Sequence, residues 1–173
     1  MKRIPLYIDT DMGVDDIAAL SMIVSSEKFD IKGISVVNGV STLIAGVRNL
    51  NRILTYMGIS CPIFCGAAQT DQKSSIQFPS LDRRRATTLA LLPTIPLPIV
   101  GTNPIFPLSK LRIMMGREKN EFALFAIGPL TNMPMLVGSA TIAKKIFRMT
   151  ITLTFSQIPF FCAFYRPKRP VFY

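Results

Sequence analysis

The stretch Ile4-Pro5-Leu6-Tyr7-Ile8-Asp9-Thr10-Asp11-Met12-Gly13-Val14-Asp15-Asp16 governs how this chain folds. An apolar run, Ile4 to Ile8, ends in four carboxylates within eight positions, and a second apolar run, Ile17 to Val24, follows at once. That order reads as a buried strand, a tight acidic turn and a helix. Asp15 and Asp16 suit the first turn of a helix, where carboxylates stabilise unpaired N–H groups. Asp9 and Asp11 have no such explanation. They sit at the carboxyl end of the strand, where open α/β sheets bind ligands. Like charges this close repel unless something positive compensates them. Oxygen donors in this number suit a hard cation, Ca²⁺ or Mg²⁺.

Beyond this stretch, Ile31 to Val37 is rich in β-branched residues and reads as a second strand. Leu43, Val47, Leu50, Leu54 and Met57 recur at helical spacing, and Gly58 closes that helix. Cys61 to Cys65 is a third strand. The order β-α-β-α-β predicts parallel strands joined by crossover helices, hence a Rossmann-like, open, mostly parallel α/β sheet.

Regularity then fails. Residues 70–85 are polar and basic, and residues 86–108 carry Pro93, Pro96, Pro98, Pro104 and Pro107. This density of proline argues against a regular helix or a central strand, so 70–110 is expected to be an irregular insertion or long loop. Glu121 to Ile127 reads as a strand, Gly128-Pro129 as a turn, and Thr131 to Lys145 as a helix with Pro134 in its first turn. Ile146 to Phe155 reads as a strand. Ile146 to Tyr165 is long enough to span a bilayer, but Arg148, Gln157 and Pro159 argue for a buried strand followed by a tail. From Gln157 onward no packed element is expected.

The chain has 173 residues, a length that suits one domain, and 49% of them are hydrophobic. No signal peptide is visible, which places the protein in the cytoplasm by default. The net charge is +10. Residues 1–60 balance six basic against six acidic groups, so the whole excess lies in residues 61–173. Its clusters, Arg83-Arg84-Arg85 and Arg166-Pro167-Lys168-Arg169, read as solvated loops or tails, since no nucleic-acid motif accompanies them. Neither a nucleic-acid nor a membrane partner is expected. Cys61 and Cys65 would lie roughly 13 Å apart on a strand, too far to bridge. With Cys162 they read as buried thiols in a reducing compartment. Histidine is absent. That excludes the usual Ser-His-Asp and Cys-His triads and zinc sites that need His.

Asp9-Thr10-Asp11-Met12-Gly13-Val14-Asp15-Asp16 resembles the D-x-D-x-G-x-D-D signature of the inosine–uridine-preferring nucleoside hydrolases. Lys32-Gly33-Ile34-Ser35-Val36-Val37-Asn38-Gly39, Arg48-Asn49 and Pro62-Ile63-Phe64-Cys65-Gly66-Ala67 resemble later family segments. Phe125-Ala126-Ile127-Gly128-Pro129-Leu130-Thr131-Asn132 is similar to the family's G-P-L-T-N turn. The resemblance covers residues 3 to about 70 and about 120 to 149. It implies water-driven cleavage of the N-glycosidic bond of a ribonucleoside, assisted by Ca²⁺. It further implies that Asp11 and Asp16 ligate the ion, with the main-chain carbonyl of Thr131, and that Asp11 is the general base. Asp15 would hydrogen-bond the ribose. Asp9 and Gly13 would shape the loop, Gly13 by letting the chain turn sharply. Gly-Pro-Leu-Thr-Asn alone would equally make an ordinary turn and helix cap. Homo-oligomers are common in the family.

The resemblance also has gaps. The family places Asn after the glycine that ends the second strand, to reach the ribose, whereas here Val40 follows Gly39. Asn38 is the substrate-binding candidate that remains, although strand alternation turns it the other way. After Met149 the family's next glycines are replaced by Thr150-Ile151, and its later ribose-binding and His-Asp segments have no counterpart. Residues 1–155 therefore read as a partial family domain and 156–173 as a basic-aromatic tail. A truncated or frame-shifted member is the expectation. The alternatives are a catalytically dead relic or binding protein that keeps the fold fragment, and a phosphotransferase-like hydrolase with a D-x-D loop, whose pattern Met12 to Asp16 suits poorly.

Overall fold

The computed structural model describes residues 3–68, 78–90, 92, 95–155 and 158–165, with side chains up to residue 150. Its centre is one seven-stranded sheet. The strands are β1 (Ile4–Thr10), β2 (Phe29–Val36), β3 (Ile63–Cys65), β4 (Ile105–Pro107), β5 (Phe122–Ala126), β6 (Ile146–Phe155) and β7 (Ile158–Tyr165). They lie in the order β4-β3-β2-β1-β5-β6-β7. All neighbours are parallel except β6 and β7. From β1 the chain steps outward to β4, then returns to place β5 on the other side of β1. The carboxyl ends of β1 and β5 therefore flank a topological switch point, where neighbouring connections diverge and leave a crevice. The acidic turn begins there.

The helices are α1 (Val14–Val24), α2 (Leu43–Tyr56), α3 (Ser80–Thr88), α4 (Leu108–Arg117), α5 (Met133–Val137) and α6 (Ala140–Lys145). One face of the sheet packs Leu6, Ile8, Ile34, Val36 and Ile63 with Leu50, Ile53 and Leu54 of α2 and Ile17 and Leu20 of α1. The other face packs Tyr7, Phe64, Phe122 and Leu124 with Leu111 and Met115 of α4, Leu136 of α5 and Ile142 of α6. Burial on both faces explains why β1 and β5 read as nearly continuous apolar runs. In α2 the Thr42 hydroxyl accepts from the Ala45 N–H at 3.4 Å. Gly58 ends the helix at φ +69°, a conformation that glycine adopts without Cβ strain.

Among the described residues between 78 and 117, two helices and a short strand are more regular than the prolines suggest. Ser80–Thr88, polar and basic, is helical, and only Ala86 of it is buried. Pro107 is accommodated because β4 is an edge strand, where a missing donor costs no ladder bond. Leu108, Leu111 and Met115 are the buried stripe of α4. Their spacing was a readable signal, obscured by the neighbouring prolines. The helix expected over 131–145 is instead a 3₁₀ turn, Leu130–Asn132, followed by α5 and α6, with Gly138 between them. Past Gln157, where no packed element was expected, Ile158–Tyr165 pairs antiparallel with β6.

Side-chain amides hold the irregular connection before β4. Asn51 Nδ2 donates to the Asn103 carbonyl at 3.0 Å, and the Asn103 N–H donates to Asn51 Oδ1 at 2.9 Å. Asn103 Oδ1 accepts from the Cys61 N–H at 2.7 Å. Arg52 Nε donates to the Pro98 carbonyl at 2.6 Å. Both asparagines are buried. Asn51→Leu would strand two buried main-chain groups, and it is expected to cost about 2–3 kcal/mol of stability, read as a lower urea midpoint.

Candidate functional site at the end of the central strand

Asp9, Thr10, Asp11 and Asp16 are all buried, whereas Asp15 is exposed in the first turn of α1. The turn is closed by its own side chains. The Thr10 hydroxyl donates to Asp16 Oδ2 at 2.5 Å and accepts from the Met12 N–H at 2.9 Å. The Asp11 N–H donates to the same Asp16 oxygen at 3.1 Å. Asp11 Oδ2 accepts from the Val40 N–H at 2.7 Å, in the loop after β2. The turn's positive φ falls on Met12, at 57°, and Gly13 has φ −60°. Gly13 thus supplies space rather than a special backbone angle, since a Cβ there would lie 2.7 Å from Asp15 Oδ1. Met12 tolerates its left-handed conformation with its side chain wholly buried in the core.

Neighbouring glycines bring other strands onto this turn. A Cβ on Gly39 would collide with the Asp11 carboxyl, and one on Gly128 would fall 2.7 Å from the Asp11 nitrogen. Asp9 lies deeper. Its Oδ1 accepts from the Ser35 hydroxyl of β2 and from Asn132 Nδ2, the latter at 2.7 Å. Asn132 does not cap α5 with its side chain. Its amide is committed to Asp9 instead, and its Oδ1 accepts from the Ala67 N–H at 2.9 Å.

Burial raises the proton affinity of all three inner carboxyls. Desolvation lifts Asp9 to about 7, against the lowering effect of Ser35 and Asn132. Desolvation also raises Asp11, and it raises Asp16 further with the help of the Asp11 charge. Among the described residues the ion pairs are Lys32–Asp30 and Arg85–Asp82, so none of these carboxylates has an ion-pair partner there. Asp9 Oδ2 is buried without a hydrogen-bond partner. Buried carboxylate oxygens without an ion-pair partner, one of them on Asp9 without any hydrogen bond, fit a hard cation in their chemistry. Their number is short of a full shell, since no three His, Cys, Asp or Glu side chains are grouped around one point among the described residues.

The other expected site residues lie near the turn to different degrees. Thr131 sits in the 3₁₀ turn directly after β5 and is partly exposed. Asn38 is also partly exposed; its N–H is spent on the Ala67 carbonyl at 3.0 Å. Cys61 and Cys65 are free thiols. Burial pushes the Cys61 thiol up to about 12, which makes it a poor nucleophile. Sequence reading missed the parts played by Thr10, Ser35, Asn132 and Arg83. Thr10 and Asn132 stand inside recognised motifs, so the signal was present without a role attached. Arg83, read there as part of a solvated cluster, donates from Nη2 to the Gly39 carbonyl at 2.9 Å and so braces the loop that holds Asp11.

Comparison with known proteins bears on the fold and the family. Residues 6–152 match the family described as inosine-uridine preferring nucleoside hydrolase. The non-specific ribonucleoside hydrolase RihC of Escherichia coli (strain SMS-3-5 / SECEC) is 25% identical over 156 residues, covering 87% of this chain and 49% of that protein. The pyrimidine-specific ribonucleoside hydrolase RihA of Photobacterium profundum is 29% identical over 136 residues, covering 78% of this chain and 43% of that protein. Among solved structures, an inosine-uridine preferring nucleoside hydrolase from Bacillus anthracis superposes with a TM-score of 0.71 at 22% identity, covering 88% of this chain and 51% of that one. A purine-preferring ribonucleoside hydrolase from Gardnerella vaginalis gives 0.71 at 19% identity, covering 86% and 48%. These structures share the fold. The chain spans about half the length of the curated relatives it matches. With an acidic turn at the switch point of a parallel sheet and a family match across most of its length, the chain belongs to the inosine–uridine-preferring nucleoside hydrolase family.

Proposed function

We propose that the protein hydrolyses the N-glycosidic bond of ribonucleosides, releasing ribose and the free base. The observation that carries this is the buried pair Asp11 and Asp16 at the β1–β5 switch point, which has no ion-pair partner among the described residues, within a chain of this family. Asp11, Asp16 and the main-chain carbonyl of Thr131 would hold a Ca²⁺ ion. When bound, the ion would orient the ribose hydroxyls and make a water more acidic. Asp11 acts as general base, with Oδ2 anchored by the Val40 N–H. Asp15 projects from the first turn of α1 and hydrogen-bonds the ribose hydroxyls. Asn38 takes a secondary place on the substrate side. Gly13 and Asp9 shape the turn without touching substrate.

The free thiols support a reducing compartment, and we place the protein in the cytoplasm, working in base salvage as a homo-oligomer. Among the described residues no helix is long and apolar enough to cross a membrane.

Ribose release from inosine and uridine tests the activity. Release is expected to require Ca²⁺ and to fall about 100-fold or more in Asp11→Asn, the magnitude of a lost general base. No release from the cooperatively folded wild-type chain would refute the activity. A second outcome concerns pH. Carboxyls whose affinity for protons is raised by folding stabilise the folded state below the unfolded carboxylate range, and that stability is lost as pH rises through their folded values. For Asp9 that window runs from about pH 4 to about 7. The ion-free chain should therefore melt lower as pH rises across this window, and Asp9→Asn should flatten part of the fall. Ca²⁺ should raise Tm more at about pH 8 than at about pH 5, because only the ionised carboxylates bind it well. Equal Ca²⁺ shifts at both pH values in thermal melts would contradict this.

A further inference from the structure

We propose that Asn132 is a positioning residue that sets the Thr131 main chain against the acidic turn, by tying three separate strands together through one buried amide. The proposal rests on the metal-binding role given above to Asp11, Asp16 and Thr131. Asn132 is 1% exposed and lies in the 3₁₀ turn Leu130–Asn132, one residue after Thr131. Its Nδ2 donates to Asp9 Oδ1 at 2.7 Å, across 123 positions of sequence, and its Oδ1 accepts from the Ala67 N–H at 2.9 Å, beyond the end of β3. One side chain therefore spans the carboxyl ends of β1 and β3 and the connection after β5.

The surroundings are built for that amide. A Cβ on Gly66 would collide with Asn132 Nδ2 and lie 2.5 Å from Oδ1, so only glycine leaves the space. The Ser35 hydroxyl donates to the same Asp9 oxygen that Asn132 meets, which helps to fix it. The bridge requires a donor toward Asp9 and an acceptor toward Ala67. Among side chains of this shape, Asn supplies both, whereas Asp supplies only acceptors. Outer partners of this kind orient the groups that touch an ion, and their loss weakens metal binding about 10- to 100-fold. With Thr131 and Asn132 consecutive in one tight turn, freeing the amide frees the carbonyl.

The test uses the full chain and Ca²⁺ alone, titrated by calorimetry beside thermal melts. Asn132→Asp removes the donor and sets a carboxyl against Asp9. It is expected to weaken Ca²⁺ binding about 10- to 100-fold while the melt stays cooperative. The exchanged pair, Asp9→Asn with Asn132→Asp, again places one donor opposite one acceptor and keeps the acceptor for Ala67. It is expected to recover most of the affinity, which a change of general stability would not predict. If the single variant fails to fold, the exchanged pair alone decides, since affinity as weak as that of a broken bridge would overturn the proposal. Faster hydrogen exchange at the Ala67 amide in Asn132→Leu gives a readout that needs no metal, and unchanged protection there would overturn the bridge. Wild-type affinity in a folded Asn132→Asp would overturn the proposal and leave the metal site standing. No Ca²⁺ binding by the wild-type chain would overturn the metal site and the proposal with it.

Discussion

The mouth of this sheet is organised around carboxylates held out of water. Asp9, Asp11 and Asp16 are each no more than 5% exposed, and among the described residues no basic side chain pairs with them. A buried, unpaired carboxylate is expensive, and a protein meets that cost by hydrogen bonds, by protonation or by a cation. Here the first means is used as far as local geometry allows. Thr10, Ser35, Asn132 and the N–H groups of Asp11 and Val40 all donate to these oxygens. Asp9 Oδ2 remains without a partner. The raised proton affinities of the three acids are the residue of that incomplete compensation.

The parallel sheet makes this concentration possible. Its parallel strands end at the same edge, so the loops after β1, β2, β3 and β5 meet above it. Small residues let them approach: Gly39 lies against the Asp11 carboxyl, Gly66 against the Asn132 amide, and Gly128 against the main chain of Thr10 and Asp11. None of the three has a positive φ, so each is there for lack of a side chain. Arg83 shows how a surface helix joins in. Its guanidinium reaches the Gly39 carbonyl, and α3 thereby supports the loop whose Val40 N–H holds Asp11.

What could be read directly from the chain follows from local rules. An apolar run ending in Asp9 and Asp11, and repeated β-α alternation, are enough to predict parallel strands with an acidic turn at their carboxyl ends. The periodicity of Leu43 to Met57, closed by Gly58, predicts α2 because helix spacing and the left-handed cap are both local. Local rules misjudged Ser80–Thr88 and Ile105–Pro107, while the described residues between them are irregular as expected. There a hydrophilic helix and an edge strand containing Pro107 are allowed by position rather than by pattern. The 3₁₀ turn and the break at Gly138 likewise divide a stretch whose pattern suggested one helix.

Contiguous residues were enough to predict the class of fold and the acidic character of the turn, because polarity and spacing act over a few positions. Which atoms meet was settled by packing in three dimensions. Asn132 and Asp9 are 123 positions apart, and Ser35 and Asp9 are 26 apart; such pairings leave no trace in local composition. Packing also placed the turn's left-handed residue at Met12 rather than Gly13. A wholly buried methionine side chain there fills the core beneath the turn, and glycine would leave that space empty. Sequence separation is the physical divide: interactions within one turn or strand are legible in order, and those that close a site require the fold that brings them together.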